Sequence, residues 1–378
     1  MATPVSLYPT APTLTFVKNA KLDNAVAEAA KKLADAGRLA QFSLAIIDLG
    51  GGGKSETLGW GAHKPDEMHY TASAAKAGAM YAAFALKDMV GRYVTMSVIF
   101  RAALAAANTM TAPLMPLSGL MNLVTPPPKP APLFDSLRKE MDPEIDKTAH
   151  PLLQSVQRIH RVPNYPAMFA TPPAGGGPPS GFSGQYQTAL HEMIVPSSNE
   201  HAGMCVRGVG YGYLNGALTA AGLFKDKTGI WLAGDYVSRW PYVRIDSAND
   251  AGVAQAGTAL SMAKLMALIA NDGVLDKSAC EAMRKLMAKA TRGPDRPFVT
   301  RDVGSAGLAI PLEKVTHAKL GFGPLKKGGN VCSELFRLEG IRNASKSYAV
   351  AFQNLNENQS PLADVNYLLL RAITTYEA

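Results

Sequence analysis

Apolar residues recur at helical spacing through "KLDNAVAEAAKKLADAG" (21–37), and Gly37 closes the run, which predicts a helix with a glycine stop. "FSLAIIDL" (42–49) and "TLGWGAH" (57–63) read as two strands joined by the turn "GGGGKSE". That turn imitates a phosphate-binding loop, but the motif needs a glycine where Asp48 stands, and Gly59, Gly61 and Pro65 break any following helix. A hairpin turn is the better reading. An alanine-rich, buried helix is predicted from Ser73 to about Val90, followed by helices at "LFDSLRKEM" (133–141), "SGQYQTALHEMIV" (183–195) and "GYLNGALTAAGLF" (212–224). "AGTALSMAKLMALIANDGVL" (256–275) and "DKSACEAMRKLMAKA" (276–290) add two more. The chain closes with three strand-like runs, "AKLGFG" (318–323), "SELFRLEG" (333–340) and "KSYAVAFQN" (346–354), and a helix from about Pro361.

Two strands at the front and three at the back predict an α/β (α+β) fold. Its expected form is one antiparallel five-stranded sheet built from both chain ends, flanked by helices, with an all-helical domain inserted. The expected division is 1–66 with 295–378 as the sheet domain and 67–294 as the helical domain. Fifteen of the 26 prolines fall between Pro113 and Pro179. This insert, about 105–182, is therefore expected as a surface excursion or stiff lid with one short helix, not as regular elements.

Composition narrows the function classes. At 378 residues, 47% hydrophobic and 18% charged, the chain is an ordinary globular one and wholesale disorder is excluded. The net charge of +8 is spread without basic runs, zinc-finger spacing or an aromatic RNA-binding signature. Nucleic acid is not the expected partner, and anionic substrates are modestly favoured. Cys205, Cys280 and Cys332 lack paired spacing, so neither a disulfide framework nor a metal cluster is expected. No run of apolar residues is long enough for a membrane span, and "MATPVSLYPTAPTLTF" does not read as a signal peptide. The expected location is cytoplasmic for a full-length chain, and periplasmic or secreted if a leader was trimmed.

The candidate chemistry begins with Ser-x-x-Lys, which occurs as Ser73/Lys76, Ser136/Lys139 and Ser261/Lys264. The second pair lies among charges, and the third reads as mid-helix packing with a surface lysine. Ser73 taken alone reads as a helix N-cap. Its surroundings change that. Ser73-Ala74-Ala75-Lys76, Ser197-Ser198-Asn199 and Lys319-Leu320-Gly321 follow one another in the order of the three motifs of penicillin-recognising serine enzymes. The chain resembles the serine β-lactamase and penicillin-binding protein superfamily, in its class A β-lactamase-like branch. The likeness spans roughly 20–90 and 185–375 and leaves the Pro-rich insert unmatched.

The resemblance implies an acyl-enzyme mechanism with Ser73 as nucleophile, Lys76 as its base, Ser197 as the proton path to the leaving group and Lys319 holding that hydroxyl. Asn199 would bond Lys76 or a substrate amide, and the backbone N–H groups of Ser73 and Phe322, beside Gly321, would form the oxyanion hole. Independent physical reasoning agrees in part. A serine at a helix N-terminus gains from the helix dipole, a lysine one turn on shares its face, and burial near another cation favours the neutral amine. Lys327 in "KGG" rivals Lys319 for the third motif. Tyr70, His69, Glu200 and His201 stand near the motifs; Tyr70 is taken as a pocket residue, the others as structural or rim groups.

Two departures bear on substrate. The class A pattern carries a glutamate between a Trp and a Pro like Trp240 and Pro241, and here nothing stands between them. Asp235 or Asp246 are the candidates for that duty. Leu320 brings no hydroxyl to the third motif. The leading expectation is a β-lactamase-like serine hydrolase acting through acyl-Ser73 on an ester or amide. The alternatives are a penicillin-binding D,D-peptidase, β-lactamase or acyl transferase, and a non-catalytic binding protein. No cofactor and no metal is required by this chemistry.

Overall fold

The structure, a computed structural model, describes residues 5–10, 12–37, 42–50, 56–110, 131–170, 181–293, 297–301, 310–356 and 362–378. The chain opens with β1 (Thr15–Lys18), α1 (Ala20–Asp35), β2 (Ser43–Asp48), β3 (Thr57–His63) and β4 (His69–Tyr70), then a 3-10 turn Ala72–Ala75 that runs into α2 (Lys76–Met110). Helices α3 (Ala131–Glu140), α4 (Asp142–Thr148), α5 (Tyr165–Met168), α6 (Gly184–Ile194), α7 (Asn199–Val209) and α8 (Tyr211–Ala220) follow. Six short strands come next: β5 (Phe224–Lys225), β6 (Thr228–Gly229), β7 (Trp231–Leu232), β8 (Ile245–Ser247), β9 (Ala251–Val253) and β10 (Gln255–Gly257). The chain ends with α9 (Ala259–Ala270), α10 (Lys277–Ala290), β11 (Val315–Pro324), β12 (Asn330–Glu339), β13 (Ser347–Asn356) and α11 (Leu362–Glu377).

The fold is a mixed α/β one. Its main sheet runs β1-β3-β2-β13-β12-β11. The five expected strands are present and mutually antiparallel. The expected five-stranded sheet is corrected to six, because β1 pairs with β3 in parallel at the far edge. Four residues with mostly exposed side chains carry too little periodicity to announce that strand.

Alternation along each strand sorts residues between two cores. Ala45, Ile47, Ala349 and Ala351 face α2, α9 and the other helices of the larger core. Leu44, Ile46, Tyr348, Val350 and Phe352 face α1 and α11. Alanines on the first face let α9 approach the sheet closely. Helix caps follow the sequence: Asn19, Ser183, Ser198, Thr258 and Asp276 each accept an N–H of the first turn.

Three other expectations need correction. α2 extends far beyond Val90, to Met110. Asn199 begins a helix of its own and is not merely a loop before α8. The insert holds regular structure within 131–170, since Pro143, Pro151 and Pro166 occupy first-turn positions where a missing N–H costs nothing. Residues 51–55 of the "GGGGKSE" turn, and 111–130 and 171–180 of the insert, lie outside the described residues. Among the described residues no helix is long and apolar enough to cross a membrane.

Candidate active site

The site forms where the sheet edge β11, the turn before α2, and the α6–α7 turn converge. Ser73 lies inside the 3-10 turn and is half-buried, while Lys76, the first residue of α2, is fully buried. The Lys76 N–H donates to the carbonyls of Ser73 and Ala74, which stacks the two motif residues one turn apart. The capping position belongs to Thr71, which makes no side-chain cap bond, so Ser73 is not a helix cap here. Ala72, immediately before Ser73, has φ +47°. Such a conformation costs a non-glycine residue of order 1–3 kcal/mol and persists only where surrounding packing imposes it.

That packing comes from β11. A Cβ on Gly321 would stand 2.2 Å from the Thr71 carbonyl oxygen and 2.6 Å from the Ala74 nitrogen. Only a glycine lets the strand lie against the Ser73 turn. Alternation then sends Lys319 and Gly321 to the side of that turn, whereas Leu320 joins the core under α11. Phe322 remains 45% exposed, its ring 6.4 Å from Phe298. Tyr70, on β4, places its hydroxyl against the backbone at Gly323, and burial followed by the charge of Asp250 raises its phenol pKa.

The second motif closes the site. Ser197 adopts φ +62°, and Ser198 caps α7 by accepting the His201 N–H at 3.3 Å. Lys76 Nζ donates to the Ser197 carbonyl at 2.5 Å and to Asn199 Oδ1 at 2.8 Å, with Ser197 Oγ at 3.4 Å. Lys319, also buried, donates from Nζ to the same Ser197 Oγ at 2.7 Å. One serine hydroxyl therefore sits between two buried lysines. Lys327 is exposed in the turn between β11 and β12 and takes no part.

The other Ser-x-x-Lys pairs stand elsewhere. Ser136 and Lys139 lie on α3, the lysine exposed. Ser261 is the third residue of α9, not mid-helix as expected, with its N–H held by the Thr258 cap, and Lys264 Nζ lies over the Phe16 ring. His69 donates to or accepts from Ser43 and is held neutral, its pKa pushed down to about 4 mainly by burial. Glu200 pairs with Arg239 at the exposed rim.

The loop 234–243 holds Asp235 and the Trp240-Pro241 pair. Asp235 is buried, and its Oδ2 accepts from Arg207 Nη1 (2.8 Å), Arg239 N (3.1 Å) and Trp240 N (3.2 Å). It is committed to holding the loop. Asp246 is exposed on β8. The residue that reaches Lys76 from this loop is Tyr236, whose ring centroid lies 4.9 Å from Lys76 Nζ. Sequence reasoning missed it, because an isolated tyrosine in an irregular loop carries no periodicity and belongs to no motif. Among the described residues, no group of three His, Cys, Asp or Glu side chains is arranged to hold a metal ion.

Residues 179–298 match the model of the "Beta-lactamase enzyme family". That stretch of the chain is similar to the family. The matched segment, about a third of the chain, contains Ser197, Asn199 and the 234–243 loop but neither Ser73 nor Lys319. Among solved structures, the TLA-1 extended-spectrum β-lactamase is similar at 12% identity and TM-score 0.49, over 93% of this chain and 99% of that one. A β-lactamase from Chitinophaga pinensis is similar at 11% identity and TM-score 0.48 (94% and 98% covered), and PBP-A at 14% and 0.45 (96% and 97% covered). Likenesses of this size carry no argument about substrate or turnover. A search of curated proteins finds no match.

Proposed function

We propose that this β-lactamase-like chain is a serine hydrolase that takes the acyl group of an ester or amide substrate on Ser73. In this reading Ser73 Oγ attacks the carbonyl carbon as its proton passes to Lys76 Nζ. The carbonyl oxygen, now negative, is received by the N–H groups of Ser73 and Phe322. The C–O or C–N bond of the substrate then breaks, and the leaving group takes a proton from Ser197 Oγ, which Lys76 resupplies. Water reverses the sequence to free the acid. Asn199 and the Ser197 carbonyl fix the Lys76 nitrogen by accepting two of its N–H bonds. Lys319 orients Ser197 Oγ and adds positive field, and Gly321 and Tyr70 shape the wall beside the scissile bond.

The single observation that carries this reading is the Ser197 hydroxyl shared by Lys319 at 2.7 Å and Lys76 at 3.4 Å. Burying two lysine amines costs free energy, and a hydroxyl with two such neighbours is suited to pass a proton, not merely to fold a turn. The test is intact-mass measurement after incubation with a fluorophosphonate and, separately, a labelled penicillin. Labelling by the phosphonate alone is the outcome for an ester- or amide-directed enzyme, and labelling by both extends it to β-lactams. No adduct with either reagent on the folded protein would leave a non-catalytic binding protein instead.

A further inference from the structure

The 234–243 loop spends free energy at three places to hold one ring. Tyr236 has φ +62° and Ser238 φ +58°, both costly for non-glycine residues. Asp235 is fully buried and needs Arg207 and two backbone N–H groups to be tolerated there. The Tyr236 hydroxyl is itself buried with no hydrogen-bond partner among the described residues, which costs about 1–3 kcal/mol. No hydrogen bond therefore accounts for the ring's position. The ring packs against the edge of the larger core and meets Lys76, at 4.9 Å from ring centroid to Nζ.

The seat of the loop is equally tight. A Cβ on Gly203 of α7 would fall 2.6 Å from the Asp235 carbonyl oxygen and 2.7 Å from Arg207 Nη1. Helix α7 therefore starts at the Lys76-binding Asn199 and, one turn later, receives the loop that carries Tyr236. Lys76 thus meets Asn199 at the start of α7 and the Tyr236 ring from the loop seated on that helix.

We propose that Tyr236 is a positioning residue that excludes water from Lys76 and so prolongs the acyl-Ser73 intermediate. This deepens the acyl-Ser73 reading and rests on it. Hydrolysis of that intermediate requires a water oxygen to bond the acyl carbon, the carbon–Ser73 Oγ bond to break, and the water's proton to reach Oγ by way of a base. Lys76 is the base one turn from Ser73, and an apolar ring on its nitrogen occupies space that such a water would need. Acylation uses the Ser73 proton and is not obstructed in the same way. The enzyme would acylate readily and release slowly, which favours acceptors other than water.

The probe is p-nitrophenyl butyrate, followed by p-nitrophenolate release and by intact mass, with Ser73→Ala as the control for labelling elsewhere. The wild-type protein should give a burst of about one equivalent, slow turnover and a persistent butyryl adduct. Tyr236→Ala should shorten the adduct lifetime by tenfold or more, and Tyr236→Phe, which keeps the ring, should retain it. Should Tyr236→Ala fail to fold by circular dichroism, Tyr236→Gln carries the same expectation. A merely structural role would slow both phases and could not accelerate release. A wild-type adduct whose lifetime is indifferent to the ring, or turnover without a burst, overturns this proposal alone. The absence of any wild-type adduct with this ester and with the fluorophosphonate overturns the parent reading as well.

Discussion

Lys319 Nζ donates to Ser197 Oγ over 2.7 Å, joining the sheet edge to a turn 122 residues earlier in the chain. Lys319→Met keeps the length of the side chain and removes the donor. The expected result is a loss of about 10²-fold or more in the rate of fluorophosphonate labelling, the size of effect attached to a positioned proton-transfer group. Lys327→Met, in the exposed turn, should leave the rate within twofold. Equal effects at the two lysines would count against the assignment of the third motif.

The contact between Gly321 and the Ser73 turn predicts a different behaviour for Gly321→Ala. The added methyl cannot be absorbed by a flexible neighbour, because what it meets is the backbone at Thr71 and Ala74. Overpacking of this kind costs about 1–3 kcal/mol. The variant should therefore lose stability by that amount in urea titration. It should also lose labelling in excess of its unfolded fraction, since β11 and the turn must separate. Loss of stability with an unchanged labelling rate would show that the close approach serves packing alone.

Asp235→Ala should be among the most damaging single changes outside the three motifs. It leaves the Arg207 guanidinium, mostly buried, without its carboxylate and strips two backbone N–H groups of their acceptor. Breaking such a buried pair costs about 3–5 kcal/mol. Thermal unfolding and protease sensitivity across 234–243 are the measurements. Glu200→Ala, which removes the exposed pair with Arg239, should change the midpoint by little.

Two buried groups set opposite pH trends. Burial pushes the His69 pKa down from 6.5 to about 4, so below pH 6.5 the unfolded chain takes a proton that the folded one refuses. Its contribution to stability is lost as pH falls from about 6.5 to 4. Burial pushes Glu334 up from 4.5 to about 8, the Phe298 and Val299 N–H bonds offsetting only part. Between those values the unfolded chain has released a proton that the folded one keeps, and stability falls as pH rises. Each effect approaches about 1.4 kcal/mol per pH unit within its window. The stability advantage of wild type over His69→Gln should therefore shrink on going from pH 6.5 to 4. The advantage of Glu334→Gln over wild type should grow from pH 4.5 to 8. Urea midpoints of the three proteins across pH 4–8 check both signs, and parallel curves would contradict them.

Much of this was legible in the sequence because it rests on periodicity and on chain order. β2 and β3, the three long strands β11 to β13, and helices α1, α6, α9 and α10 fall within a few residues of their expected positions. The candidate site residues were legible for another reason: Ser73, Lys76, Ser197, Asn199 and Lys319 sit in short motifs whose order along the chain is informative, and β11, the turn before α2 and the α6–α7 turn meet where they lie. β1 was too short to show a period, and its side chains are mostly exposed. The independence of α7 was hidden by its glycines, Gly203 and Gly208, which look like breakers until the loop that needs Gly203 is in view. Tyr236 could not be found at all. Its role depends on a left-handed backbone held by Asp235, which is a property of tertiary packing.

The central claim is that Ser73, and neither Ser136 nor Ser261, takes an acyl or phosphonyl group. The direct measurement is peptide mapping of the fluorophosphonate adduct by mass spectrometry on the wild type, Ser73→Ala, Ser136→Ala and Ser261→Ala. The expected result is a single modified site at Ser73, absent from Ser73→Ala and undiminished in the other two variants. An adduct that persists in folded Ser73→Ala, or that maps to Ser136 or Ser261, would contradict it.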